Sequence, residues 1–124
     1  MTKRILIIED QEDNRAIMRD VLSSAGYALI EAVDGEEGVK LARSERPDLI
    51  LMDIQLPVLD GYEATRQIRA IGDLKCIPII AVTSYALSGD EARARSAGCD
   101  SYVAKPFSPR ELLTKVREFL PNKS

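Results

Sequence analysis

The sequence predicts an α/β protein: a parallel sheet with helices packed on both faces. Apolar runs of strand length recur five times along the 124 residues. Two of them, DLILM (48–52) and PIIAV (78–82), are nearly unbroken in Leu, Ile and Val, as strands covered on both sides are. Helix start and stop signals fill the stretches between the runs, and strands alternating with helices demand parallel pairing. Right-handed crossovers then leave few ways to connect the strands.

Taken in order, RILII (4–8) reads as the first strand and residues 13–25 as the first helix, with Ile17, Met18, Val21 and Leu22 on its inner face. Gly26 stands at its stop, before the second strand YALIEAV (27–33). Asp34 with Glu37 has the N-cap spacing that opens a second helix, and Asp60 with Glu63 opens a third that closes near Gly72. Ser88 with Glu91 opens a fourth, ending at Gly98, whose stretch GDEARARSAG (89–98) has alanine as its only apolar residue. So thin a face buries little area, which makes this the least firmly anchored helix. SYVA (101–104) is the fifth strand. The last helix has the strongest signals: Ser108-Pro109-Arg110-Glu111 is a capping box with proline at the first helical position. Leu112, Leu113, Val116, Phe119 and Leu120 then share one face, and Pro121 ends the helix.

The length suits one domain, and a single domain over residues 1–124 with no output domain after the last helix is expected. A net charge of −3 and a pI near 5.0 argue against a dedicated nucleic-acid surface. The apolar part of the first ten residues, Ile5 to Ile8, is too short for a signal peptide or a membrane span, so a cytoplasmic location is expected. Cys76 and Cys99 read as isolated thiols. The chain has no His, which removes the commonest general base and leaves carboxylates, hydroxyls and lysine to carry any chemistry.

In open parallel sheets, functional groups gather beyond the carboxyl ends of the strands. There the sequence places Glu9-Asp10, Asp53, Thr83-Ser84 and Lys105-Pro106. If strands 1, 3, 4 and 5 are neighbours in that order, three carboxylates, a hydroxyl and one ammonium share a crevice. Two like charges 4 Å apart repel by roughly 4 kcal/mol at an effective dielectric of 20, so the cluster wants a cation. All-oxygen ligation favours Mg²⁺. Asp53, central in the set, is the candidate nucleophile for an aspartyl phosphate, with the Lys105 ammonium and the Thr83 hydroxyl directed at phosphoryl oxygens. Singly, each residue has a plainer reading: a strand-end carboxylate accepting loop amides, a solvated helix approach, a β-branched strand residue, a surface lysine. As an ordered set they favour the phosphoacceptor.

The set Glu9-Asp10, Asp53, Thr83 and Lys105-Pro106, with Pro57 and Gly61 after Asp53, resembles the receiver domain of bacterial two-component response regulators. Thr83 follows Asp53 by 30 residues and Lys105 follows Thr83 by 22, spacings that fit that family over essentially the whole chain. The resemblance implies a flavodoxin-like, five-stranded parallel sheet in order 2-1-3-4-5 with five helices on both faces. It implies that Asp53 accepts a phosphoryl group from a histidine kinase or a histidine phosphotransferase. Asp10, Asp53 and the Gln55 backbone carbonyl would then bind Mg²⁺, with Glu9 acting through water. Thr83 and Lys105 would respond to the phosphate, the peptide between Lys105 and Pro106 would be cis, and Tyr102 would be the switch aromatic. For Tyr102 a half-buried edge-strand role competes evenly. Gln55 and Tyr85, two residues after Asp53 and Thr83, are placed to limit water access to a phosphoryl group, or are simply loop side chains.

The stretches EDQEDN (9–14), LMDIQLPVLDG (51–61) and AGCDSYVAKP (97–106) look most like single-domain DivK-type regulators and the receivers of hybrid kinases. Such a protein is no enzyme beyond its own phosphorylation and dephosphorylation. It signals to a downstream protein through the surface of helix 4, strand 5 and helix 5, or passes the phosphoryl group on in a phosphorelay. Neither direct nucleic-acid contact nor membrane insertion is expected. The rival readings are an interaction scaffold that works without phosphorylation and, from enzyme chemistry, an aspartyl-phosphate hydrolase or a nucleotide hydrolase. The first enzyme would normally carry a second acid where Gln55 stands. The second needs a G-x-x-x-x-G-K-[ST] loop, and the turn after strand 1 is acidic instead.

Overall fold

Alternation of side chains along five parallel strands builds two separate cores in the computed structural model, which describes residues 2–83 and 90–120. The strands are β1 (Arg4–Ile8), β2 (Ala28–Ala32), β3 (Leu49–Asp53), β4 (Ile79–Thr83) and β5 (Ser101–Ala104), paired in the order β2-β1-β3-β4-β5. The helices are α1 (Glu12–Ser24), α2 (Gly35–Glu45), α3 (Gly61–Arg69), α4 (Asp90–Ala97) and α5 (Pro109–Phe119), with a 3₁₀ turn at Gly72–Leu74. On one face Ile5, Ile7, Leu49, Leu51, Ile80, Val82 and Val103 pack against Met18 and Leu22 of α1 and Leu112 and Val116 of α5. On the other, Leu6, Ile8, Ile50, Met52, Ile79 and Ala81 meet α2, α3 and α4. The expected fold class and strand order are therefore present. Among the described residues no helix is long and apolar enough to cross a membrane.

The local signals act as hydrogen bonds. Asp34 Oδ1 accepts from the Glu37 amide at 2.8 Å, and Asp60 Oδ1 from the Glu63 amide at 2.9 Å. Ser108 and Glu111 close a reciprocal capping box. Gly26 and Gly98 end their helices at φ +96° and +116°, the left-handed conformation that glycine adopts without penalty.

Several expectations are corrected. β3 and β4 run one residue further than the apolar runs suggest, so Asp53 and Thr83 are the last residues of their strands; the Ile54 amide still reaches the Val82 carbonyl at 3.0 Å and continues the ladder. Ile17 is 46% exposed rather than inward, because α1 rests on the sheet through Met18 and Leu22 and the neighbouring face turns to solvent. Gly72 opens the 3₁₀ turn instead of closing α3, which ends at Ala70 with its amide bonded back to the Arg66 carbonyl. Ser84, Tyr85, the Ser88 cap, Gly89 and the Pro121 stop lie outside the described residues.

Candidate functional site

Register brings the acids together. Ile8 pairs with Met52, so the next residues, Glu9 and Asp53, stand level at the carboxyl edge of the sheet. One strand over, Asp53 pairs with Val82, and Thr83 pairs with Ala104, which puts Lys105 immediately beyond. Glu9 is fully buried, Asp53 is 2% exposed and Asp10 is half-buried. Carboxylate oxygens of all three lie within 4.8 Å of one another.

Lys105 makes this tolerable. Its Nζ donates to Glu9 Oε1 at 2.8 Å and to Asp53 Oδ2 at 3.2 Å. The remaining oxygens accept loop amides: Gln11 N–H to Glu9 Oε2 and Gln55 N–H to Asp53 Oδ1, both at 3.0 Å. Buried charges so paired and hydrogen-bonded avoid most of their desolvation cost. Burial pushes the Glu9 carboxyl above its ordinary value and the Asp53 charge adds to this, while hydrogen bonds from Lys105 and Gln11 pull the other way. For Lys105, burial alone would favour the neutral amine. The Glu9 hydrogen bond and the Asp53 and Glu9 charges outweigh it and raise the ammonium pKa.

Asp10 differs from its neighbours. Among the described residues its carboxylate has no hydrogen bond or ion pair, so its acceptor positions are open beside two anchored acids. Three converging hard-oxygen groups, one of them uncommitted, fit a divalent cation such as Mg²⁺. Gln55 sits exposed in the loop just after β3.

Thr83 is 3% exposed at the end of β4, and its carbonyl accepts the Lys105 amide at 2.7 Å. The Lys105–Pro106 peptide is cis. Tyr102 is half-buried on β5 opposite Ala81 and packs on the α2–α4 side of the sheet. Beside Lys105, a cavity of about 320 Å³ is lined by Asn14, Ile17, Pro106 and Phe107.

Two participants escaped the sequence reading. Arg15 donates to the Glu9 carbonyl at 2.9 Å, and the Arg93 guanidinium lies 4.4 Å from the centroid of the Tyr62 ring. An arginine on a charged helix carries no local signal for either contact; only the Glu12–Arg15 spacing hinted that this side chain was engaged.

Known proteins are similar to this chain in sequence and fold. The family model of the response regulator receiver domain matches residues 5–117. The polar-differentiation response regulator DivK of Brucella anthropi is 43% identical over 120 residues, spanning 97% of this chain and 98% of that protein. The receiver domain of a sensor histidine kinase from Pseudomonas aeruginosa PAO1, crystallised with a magnesium ion coordinated in its active-site cleft, has a TM-score of 0.91 and 41% identity over 98% of this chain and 100% of its own. The Vibrio cholerae chemotaxis protein CheY4 also gives a TM-score of 0.91, at 27% identity, covering 96% of this chain and 99% of its own. With strand order, acid cluster and sequence in agreement, this chain belongs to the response regulator receiver domain family of two-component signalling.

Proposed function

We propose that Asp53 is the phosphoacceptor of a cytoplasmic regulator that residues 1–124 form as one signalling domain. The observation that carries this reading is the Asp53 carboxylate: 2% exposed at the end of the central strand, it shares the Lys105 ammonium with Glu9. The donor is a phosphohistidine on a kinase or a histidine phosphotransferase. An Asp53 oxygen forms the new bond to phosphorus as the P–N bond breaks, and the electron pair leaves with the imidazole nitrogen. Asp10, Asp53 and the Gln55 carbonyl would hold Mg²⁺, with Glu9 acting through water; the ion supplies charge neutralisation at the phosphoryl oxygens.

Lys105 is already within hydrogen-bond reach of Asp53 Oδ2 and can transfer that bond to a phosphoryl oxygen without leaving the pocket. The Thr83 hydroxyl closes on another, Tyr102 follows it as the switch aromatic, and the change spreads to the surface of α4, β5 and α5. Gln55 stands where its side chain limits water access to the acyl phosphate. Ile17, Pro106 and Phe107 frame the cavity beside Lys105, an apolar footing for the donor protein next to the reacting group. Output passes by protein contact or by onward transfer of the phosphoryl group. Incubation with a small phosphodonor and Mg²⁺, read by intact mass, tests this directly. Wild type should gain one phosphoryl group and Asp53→Asn none; equal labelling of both places the acceptor elsewhere.

A further inference from the structure

Arg15 lies in the first turns of α1, yet its side chain is only 12% exposed. Its guanidinium spans three groups: Nη1 donates to the Glu9 carbonyl at 2.9 Å, Nη2 pairs with Glu12, and Nε lies 3.3 Å from Glu31 Oε1 on β2. Arg19 pairs with the same two acids, at 3.2 Å to Glu12 and 2.8 Å to Glu31. None of its bonds reaches the turn between β1 and α1.

Apart from the Gln11 amide, which donates to Glu9 Oε2 at 3.0 Å, that turn has few other ties. Gln11 occupies the N-cap of α1 without a side-chain capping bond, so the usual Ser or Asp clamp is missing. The Glu9 amide remains in the sheet, donating to the Ala32 carbonyl at 3.0 Å. At the Glu9 carbonyl the chain leaves the sheet, and the Arg15 fork holds it there. A carbonyl held in place sets the plane of the peptide that joins Glu9 to Asp10. The Asp10 carboxylate, with no partner of its own among the described residues, takes its direction from that backbone. Pairing with Glu12 and Glu31 also offsets the Arg15 charge, so it does not compete for Asp10.

We infer that Arg15 is a positioning residue: by clamping the Glu9 carbonyl between α1 and β2, it aims the Asp10 carboxylate at Asp53 for a divalent cation. This rests on the metal reading above. Partners that orient metal ligands are typically worth about 10–100-fold in affinity. In calorimetric titration of the full chain with Mg²⁺, Arg15→Met should therefore raise Kd about 10-fold. Arg19→Met, which breaks ion pairs to the same acids but leaves the carbonyl clamp, should keep the wild-type Kd. An unchanged Kd in Arg15→Met, or equal weakening in both variants, overturns the inference.

Amide exchange in the metal-free protein supplies an independent readout. The Gln11 amide should exchange faster in Arg15→Met and not in Arg19→Met; no difference between the two overturns the clamp. If wild type binds no Mg²⁺, the metal reading fails, and this exchange comparison alone decides whether Arg15 holds the turn. If Arg15→Met does not fold, Arg15→Lys replaces it. A compact ammonium lacks the planar fork whose three separate nitrogens reach the Glu9 carbonyl, Glu12 and Glu31, so the same rise in Kd is expected, and a wild-type Kd refutes the role.

Discussion

Burying a carboxylate without a partner costs several kcal/mol, and Asp53 and Glu9 are both withdrawn from water. One ammonium and two loop amides satisfy them, so the apolar strand β3 can end in a charge. The backbone around Asp53 is equally confined. A Cβ on Gly61 would fall 2.3 Å from the Asp53 carbonyl oxygen and 2.6 Å from Ile54 Cα, and neither atom can rotate away. The Gly61 amide also donates to the Ile54 carbonyl at 2.9 Å, which brings the start of α3 onto the end of β3. Gly61→Ala should push that strand end aside. A loss of about 1–3 kcal/mol in urea unfolding is expected, with slower phosphorylation because the displaced residue is the proposed acceptor, Asp53. Wild-type stability in this variant would show that the loop relaxes more freely than its contacts suggest.

Helix α4 shows how an element with little apolar surface is held. Only Ala94 and Ala97 are buried among its described side chains, at 2% and 5% exposure. Cationic contacts do the rest. Arg93 lies over Tyr62, and Arg95 pairs with Glu91 and donates to the Asp100 carbonyl, both at 3.1 Å. Beyond the helix, Arg69 of α3 donates to the Gly98 carbonyl at 2.9 Å and pairs with Asp100 at 2.7 Å. An exposed cation–π contact is worth about 0.5–1 kcal/mol, enough to bias a local opening and small against global stability. Arg93→Ala should therefore speed amide exchange across 90–97 while costing no more than about 1 kcal/mol overall. Unchanged exchange would mean that the alanine contacts suffice. A helix held this lightly is suited to shift when Asp53 is phosphorylated, as the proposed function requires.

At the scale of the molecule, the site exists only when the sheet does. Glu9 and Lys105 directly follow β1 and β5, Asp53 ends β3, and the Lys105–Glu9 bond joins residues 96 positions apart. The unfolded chain has no such cluster, so a cation that binds it stabilises only the native state. Mg²⁺ at one hundred times its Kd should add about 2.7 kcal/mol, read as a rise in Tm with Mg²⁺ concentration. Asp10→Asn should abolish most of that rise. Because it also removes one of three crowded negative charges, it should raise the Tm of the metal-free protein. A Tm insensitive to Mg²⁺ in wild type would contradict the metal reading.

How far the protein could be read in advance follows from the range of each interaction. Capping pairs such as Asp34–Glu37, Asp60–Glu63 and Ser108–Glu111 act across three residues, and the apolar runs of the strands act over four or five. Both are written locally, and so is the choice of carboxylate, hydroxyl and ammonium at the strand ends. The order of the strands came from resemblance to a family rather than from periodicity. Other features needed the assembled fold. Ile17 faces solvent because α1 rests on the sheet through Met18 and Leu22, a choice of face that its helical spacing does not encode. Lys105 pairs with both Glu9 and Asp53, and Asp10 stays open, because register sets β1 and β3 level and places β5 within reach. The grip of Arg15 on a backbone carbonyl and of Arg93 on Tyr62 likewise depends on how neighbouring elements pack. Short-range hydrogen bonds and hydrophobic period choose the elements and their chemistry; which charges meet is settled only when distant segments share one sheet edge.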